Sequence, residues 1–138
     1  MTDTPIEGYA SLFWARDLAD DVVAPGAFAA SLARAGAGGV KMLHQHETSP
    51  PIGVWDAVGE DARGLYVRGR ILDAAPQSRL AAALVRAGAL DGLSIGFAAK
   101  RARPDASGRL RVLTEIDLWE VSLVTFPMLP GARLVRTP

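Results

Sequence analysis

Cysteine is absent from this chain, histidine occurs only twice, and the charges cancel. With no cysteine among 138 residues, the sequence excludes a disulfide scaffold, a cysteine nucleophile and a cysteine-ligated zinc site. Fifteen basic and fifteen acidic residues leave a net charge of zero. This balance does not predict binding to nucleic acid or to an anionic membrane.

Long apolar runs are also missing. Residues 1–8 are polar and contain no signal-peptide core, and no hydrophobic stretch approaches transmembrane length. We therefore expect the protein to work in the cytoplasm or inside an assembly built there. A hydrophobic content of 49% and a charged content of 22% are typical of a globular protein, and residues 1–138 are predicted to form a single domain.

Short apolar segments separated by turn residues predict an α+β fold that is mainly β. Two helices are expected, over residues 25–35 and 76–88, and residues 101–108 are expected to form a mobile loop. Strands are predicted at residues 9–15, 22–23, 40–46, 52–58, 64–72, around Ser94, 110–116, 118–126 and 132–135. Such a set favours a small antiparallel or mixed β-barrel, closed or nearly closed, with two or more helices packed outside it.

Ser94 is the candidate nucleophile. Strand alternation puts Leu93, Ile95 and Phe97 on one face and Ser94 with the small Gly96 and Ala98 on the other, which leaves room for another backbone to approach. The Gly-x-Ser-x-Gly pattern at 92–96 is not a hydrolase nucleophile elbow, because no histidine follows it and a helical pattern precedes it. A buried serine bonded to a neighbouring backbone group is the alternative.

His44 and His46 are the only histidines, so they are the only general bases of the usual kind. Alternation over 40–46 places Met42, His44 and His46 on one strand face. The alternatives are a metal site begun by the two histidines with Glu47, and simple packing.

Residues 114–124 contain the candidate carboxylates for orienting the histidine. Alternation places Glu120 on the face of Ile116, Leu118 and Val124, where a lone acid needs a partner. Glu115 and Asp117 fall on the opposite face. A bulge would exchange the faces and favour Glu115, and a solvated glutamate at the strand edge is also compatible with the pattern.

Four blocks of the chain resemble the prohead (capsid maturation) proteases of tailed phages. In order they are Pro25-Gly26-Ala27-Phe28 with Ser31-Leu32; Lys41-Met42-Leu43-x-x-His46-Glu47 with Pro51-Ile52-Gly53; Gly88-x-Leu90-Asp91-Gly92-Leu93-Ser94-Ile95-Gly96-Phe97; and Asp117-Leu118-x-Glu120-Val121-Ser122-Leu123-Val124-Thr125-x-Pro127. The resemblance extends from about residue 8 to residue 135. The short length also resembles the proteases of gene transfer agents.

This resemblance implies an assemblin-like barrel, as in herpesviruses, and a serine protease with a Ser-His-Glu triad. Ser94 would be the nucleophile, His46 the base and Glu120 the orienting acid, with no cofactor and no metal. His44 departs from the family, which usually has an aromatic or apolar residue there, and so does Met128, where a small residue is common. An oxyanion donor is expected from residues 97–101 or from an arginine near Arg133.

The implied partner is the major capsid protein, whose scaffold segment would be cleaved inside the assembling procapsid. Self-cleavage and self-association are compatible with this interpretation of the chain as a capsid maturation protease. Two other functions stay open at this point: a capsid-assembly or scaffold-binding module without activity, and a metal-dependent hydrolase centred on His44 and His46.

Overall fold

The computed structural model describes residues 2–135 and contains one curled sheet. Its seven strands are β1 (Thr4–Leu12), β2 (Asp21–Val23), β3 (Lys41–His44), β4 (Gly53–Glu60), β5 (Gly64–Ile71), β6 (Gly92–Pro104) and β7 (Arg111–Val124). Two helices accompany it, α1 (Ala29–Ala35) and α2 (Pro76–Arg86), with a short 3-10 turn at Ala37–Gly39. Neither helix within residues 2–135 is long and apolar enough to cross a membrane.

The sheet is mixed, and β7 is its central element. The strand order is β1-β5-β4-β3-β7-β2, and β6 also pairs with β7. β7 runs parallel to β2 and β3 along one edge and antiparallel to β6 along the other. The remaining gap between β1 and β6 is spanned near the end of the chain, where Leu134 bridges to Gly8 and Arg133 to Gly92. The expected mainly β, barrel-like α+β fold is thus confirmed.

The core lies inside the curl of the sheet. The strands supply it by period-2 alternation, as in β5, whose Leu65, Val67 and Ile71 are almost completely buried. Phe28, from the turn before α1, is fully buried in the same core. This core fixes which side chains of β6 and β7 are left to face outward.

On the edge of β7 that faces away from β6, the stretch between its pairings with β2 and β3 is bonded to the segment before α1. The N–H of Ala24 donates to the carbonyl of Leu113 at 3.0 Å, and the N–H of Ile116 donates to the carbonyl of Ala27 at 2.9 Å. Glu60 accepts from the N–H groups of Gly26 and Phe28. These bonds hold residues 24–28 in turns, so the helix begins at Ala29 and not at residue 25 as the proline predicted.

Several predicted boundaries are wrong because pairing extends beyond the apolar runs. The first strand covers Thr4–Leu12, since it pairs with all of β5. Pro104 pairs with Arg111, so the exposed half of β6 is a strand where a loop over 101–108 was expected. The two strands expected at 110–116 and 118–126 are one strand, β7. The predicted final strand at 132–135 is reduced to isolated bridges.

The Ser31 side chain links helix α1 to strand β7. Its buried hydroxyl accepts from the N–H of Leu118 at 2.9 Å. Ser31→Ala leaves that buried N–H unpaired, and we expect the free energy of unfolding to fall by about 1–3 kcal/mol in urea denaturation. Thr48→Ala, at an exposed site, should change it by less than about 0.5 kcal/mol. Equal urea midpoints for the two variants would contradict this role of Ser31.

Candidate active site

Two serines face each other across the β6–β7 ladder. Ser94 and Ser122 are direct cross-strand partners, so their side chains lie on the same face of the sheet. Leu93 is buried in the core, with Ile95 and Phe97 packed against it, which confirms the predicted alternation of β6. Ser94 therefore points away from the core, as expected.

Only one of the two hydroxyl groups is free. Ser122 is 0% exposed and makes two hydrogen bonds through its hydroxyl. Ser94 is 7% exposed, lines a cavity, and donates no hydrogen bond to any other residue in the described part of the chain. The alternative considered for Ser94, a buried serine bonded to a neighbouring backbone group, is therefore not what residues 2–135 show, and its hydroxyl is free of such a bond.

His46 lies in a left-handed turn just beyond β3. The strand ends at His44, and Gln45 and His46 have φ values of 55° and 60°. The expected strand over 40–46, with His46 on the face of Met42, is therefore wrong. The last bond of the β3–β7 ladder runs from the N–H of Gln45 to the carbonyl of Leu123 at 2.8 Å, and the next residue turns away from the ladder.

The Gln45 side chain anchors this turn to the end of β7. Its amide nitrogen donates to the Thr125 hydroxyl at 2.7 Å, and its carbonyl oxygen accepts from the Thr125 N–H at 3.2 Å. Two consecutive non-glycine residues in the left-handed region are persistent only where their surroundings hold them. This pair of bonds, together with the Gln45–Leu123 backbone bond, holds them here.

The imidazole of His46 is paired with Glu120. Nδ1 of His46 lies 2.6 Å from Oε1 of Glu120, whose side chain is 13% exposed against 43% for the histidine. Since an ionised carboxylate only accepts hydrogen bonds, this bond needs the proton on Nδ1, which in a neutral imidazole leaves the lone pair on Nε2. That is the tautomer a general base requires.

A bulge at Trp119 determines where Glu120 points. Leu118 pairs with Phe97 and Glu120 with Gly96, which leaves Trp119 unpaired. Leu118 and Val121 are consequently both in the core, and Glu120 points away from it. The prediction that Glu120 shares a face with Ile116 and Leu118 is therefore wrong, although its expected partner, His46, is the one observed.

Gly96 makes room for the Glu120 carboxylate. A Cβ placed on Gly96 would lie 2.6 Å from Cδ of Glu120. The space beside Ser94, expected from the sequence to admit another backbone, is thus occupied by the side chain that orients His46. Any larger residue at 96 would displace this carboxylate.

Ser94 and His46 line one cavity of about 230 Å³. Its wall is mostly apolar and includes Leu93, Ile95, Phe97, Leu113, Met128 and Leu129. Asp21, also in the wall, is neutralised by a two-pronged pair with Arg111, with both N–O distances 2.9 Å. A larger cavity of about 590 Å³, between β1 and the end of α2, contains neither Ser94 nor a histidine.

The other side chains that the sequence offered as an orienting acid or an oxyanion donor form ion pairs outside the site. Glu115 pairs with Arg101 at 3.5 Å, and Arg133 pairs with Asp91 at 2.7 Å. The indole N–H of Trp119 donates to Asp117 and holds the pKa of that carboxyl below its usual value, aided by Arg34.

His44 ends β3, and its carbonyl accepts from the Glu47 N–H at 3.0 Å. Across residues 2–135, no three His, Asp or Glu side chains are grouped as a metal site would need.

Gln45 and Ser122 are two residues of the site whose roles were not predicted from the sequence. Nothing in the composition of residues 40–46 marks the left-handed turn. Ser122 was open to detection, because the spacing Glu120-Val121-Ser122 puts an acid and a hydroxyl on the same face of one strand.

The chain matches a known protein family along almost all of its length. Residues 1–137 match the family described as caudovirus prohead serine protease. The prohead protease of Enterobacteria phage HK97 is 36% identical over 123 residues, covering 88% of this chain and 54% of the relative. The chain thus spans about half the length of that relative.

Solved structures show the same fold. The crystal structure of KSHV protease in complex with a hexapeptide phosphonate inhibitor superposes with a TM-score of 0.64 at 14% identity, over 96% of this chain and 64% of that chain. A second KSHV protease structure gives a TM-score of 0.55 at 14% identity, over 98% of this chain and 61% of that one. From the sequence match over almost its entire length, the chain belongs to the caudovirus prohead serine protease family.

Proposed function

We propose that this chain is a serine endopeptidase of capsid maturation, with Ser94 as nucleophile, His46 as general base and Glu120 as the orienting acid. The observation that carries the proposal is the 2.6 Å bond between His46 and Glu120 at the rim of the cavity that Ser94 also lines. Family membership supports the reaction type.

In this mechanism Oγ of Ser94 attacks the peptide carbonyl while Nε2 of His46 takes its proton. The proton then passes to the leaving amine as the C–N bond breaks. Water then attacks the acyl-enzyme while Nε2 of His46 takes its proton. That proton returns to Oγ of Ser94 as the ester bond breaks. Glu120 keeps Nδ1 protonated and stabilises the imidazolium that forms between the two transfers.

In the structure of residues 2–135, no hydrogen bond joins the side chains of Ser94 and His46. Catalytic hydrogen bonds commonly tighten only when substrate binds, so this separation is compatible with the mechanism. For the oxyanion we favour backbone N–H donors, typically worth about 3 kcal/mol each. The side chain of Arg133 is already bonded to Asp91 and to the carbonyl of Pro130.

The substrate we propose is the scaffold segment of the major capsid protein, cleaved inside the assembling procapsid. The HK97 relative is named as a prohead protease, which supports this assignment. The cavity wall is mostly apolar, Asp21 is paired with Arg111, and Asp17 accepts from two backbone N–H groups, so we propose an uncharged substrate side chain next to the scissile bond. Confinement in a procapsid raises the effective substrate concentration, so a modest turnover would suffice.

Replacing the nucleophile tests the reaction type. Ser94→Ala should leave a folded chain that associates with the capsid precursor but does not cleave it, because only the hydroxyl that attacks is lost. Co-expression with the major capsid protein of the same particle, followed by mass spectrometry of capsid N-termini, measures this. Cleavage at the wild-type rate would refute the serine mechanism, while binding without cleavage by the wild type would support a non-catalytic assembly module.

The two histidines should differ sharply. His46→Ala should abolish cleavage because the base is lost, whereas His44→Phe, at a strand end with no bond from its ring to another described residue, should be tolerated. Equal loss in both variants would favour the metal-dependent hydrolase. Loss of wild-type activity in chelator and its return with zinc would then establish that alternative.

The carboxylates provide the third test. Glu120→Gln keeps the shape of the side chain but removes the charge, and its amide can donate to Nδ1 and select the wrong tautomer. We expect a fold close to wild type and cleavage slower by about a hundredfold or more. Glu115→Gln, which removes only an exposed pairing with Arg101, is the matched control and should stay within a few-fold. The reverse ranking would make Glu115 the third member.

A further inference from the structure

We infer that Ser122 is a positioning residue that ties the backbone of His46 and the carboxylate of Glu120 to one buried point. This inference rests on the proposed function and deepens it, because it explains how the orienting acid is itself oriented. Ser122 lies opposite Ser94, is completely buried, and has no access to the cavity.

The Ser122 hydroxyl bonds to both His46 and Glu120. It donates its only proton to Oε1 of Glu120 at 2.6 Å. Its oxygen accepts from the backbone N–H of His46 at 3.1 Å. A hydroxyl has one proton and two acceptor positions, so these two bonds fix its rotation.

Oε1 of Glu120 consequently receives two hydrogen bonds, one from Ser122 and one from Nδ1–H of His46. A glutamate side chain has three rotatable bonds, and the neighbouring Gly96 offers no side chain to restrain it. The Ser122 bond selects the rotamer in which the oxygen points at His46. Charge-assisted bonds of this kind are stronger than neutral ones.

The second bond acts on the backbone. His46 has a φ of 60°, a conformation that is strained for a non-glycine residue and needs support from its surroundings. The Gln45–Thr125 bonds hold the residue before it, and Ser122 holds the N–H of His46 itself. Loss of Ser122 would therefore release the imidazole and its acid together.

Labelling by a fluorophosphonate probe tests this without knowledge of the cleavage sequence. Ser122→Ala should lower kinact by about tenfold to a hundredfold through misplacement of the base, with KI within about twofold of wild type. Ser107→Ala, in the exposed turn between β6 and β7, is the control and should leave both constants unchanged. Wild-type kinact in Ser122→Ala would overturn the inference.

A double-mutant cycle separates positioning from general destabilisation. If Ser122 acts partly through Glu120, then Ser122→Ala added to Glu120→Gln should lower kinact by a smaller factor than it does in the wild type, because only its bond to the His46 backbone is still left to lose. An equal fold-loss in both backgrounds would overturn the inference. Should Ser122→Ala fail to fold, Ser122→Cys, similar in size but a weak donor, replaces it with the same expected outcomes.

The Nδ1 proton of His46 gives a readout independent of activity. Its ¹H NMR resonance should be sharp in wild type and in Ser94→Ala, and should broaden in Ser122→Ala. An unchanged resonance in Ser122→Ala would contradict the inference. If Ser94→Ala were still labelled by the fluorophosphonate, the proposed nucleophile would fail, and this NMR comparison would still decide the role of Ser122.

Discussion

The backbone pairing of β6 with β7, interrupted at Trp119, is the constraint on which the site depends. The ladder puts Ser94 opposite Ser122 and Gly96 opposite Glu120. Without the bulge, Leu118 and Glu120 would lie on one face, and burial of the leucine would carry the glutamate into the core. One extra residue in β7 thus lets a single strand contribute both core side chains and the acid that meets His46.

The parallel pairing of β3 with β7 supplies the histidine. Pairing of His44 with Leu123 and the Gln45 bond to the Leu123 carbonyl end β3 beside Ser122 and Glu120. The turn that follows therefore starts within reach of the acid. The segments that carry Ser94 and His46 meet the acid here because β6 and β3 both pair with residues 120–123 of β7, one on each edge.

The sequence predicted the fold class, the outward direction of Ser94, the second helix and the identity of the His46 partner. It predicted strand ends poorly, because pairing of exposed residues such as Pro104 with Arg111 leaves no hydrophobic pattern. It placed Glu120 on the wrong face, because a bulge changes register without changing the alternation of residue types. The left-handed turn at Gln45 was hidden for another reason: the bonds that stabilise it come from Leu123 and Thr125, far away in the chain.

Energetics indicate that this arrangement is not present for stability alone. The His46–Glu120 pair includes a 43% exposed histidine, and exposed ion pairs contribute about 0–1 kcal/mol. Two left-handed non-glycine residues cost about 1–3 kcal/mol each, and burial of Ser122 requires both of its bonds. A strained turn, an oriented imidazole and an acid held on two sides are what preorganisation of a general base requires, and this is the physical link between the β7 register and the proposed chemistry at Ser94.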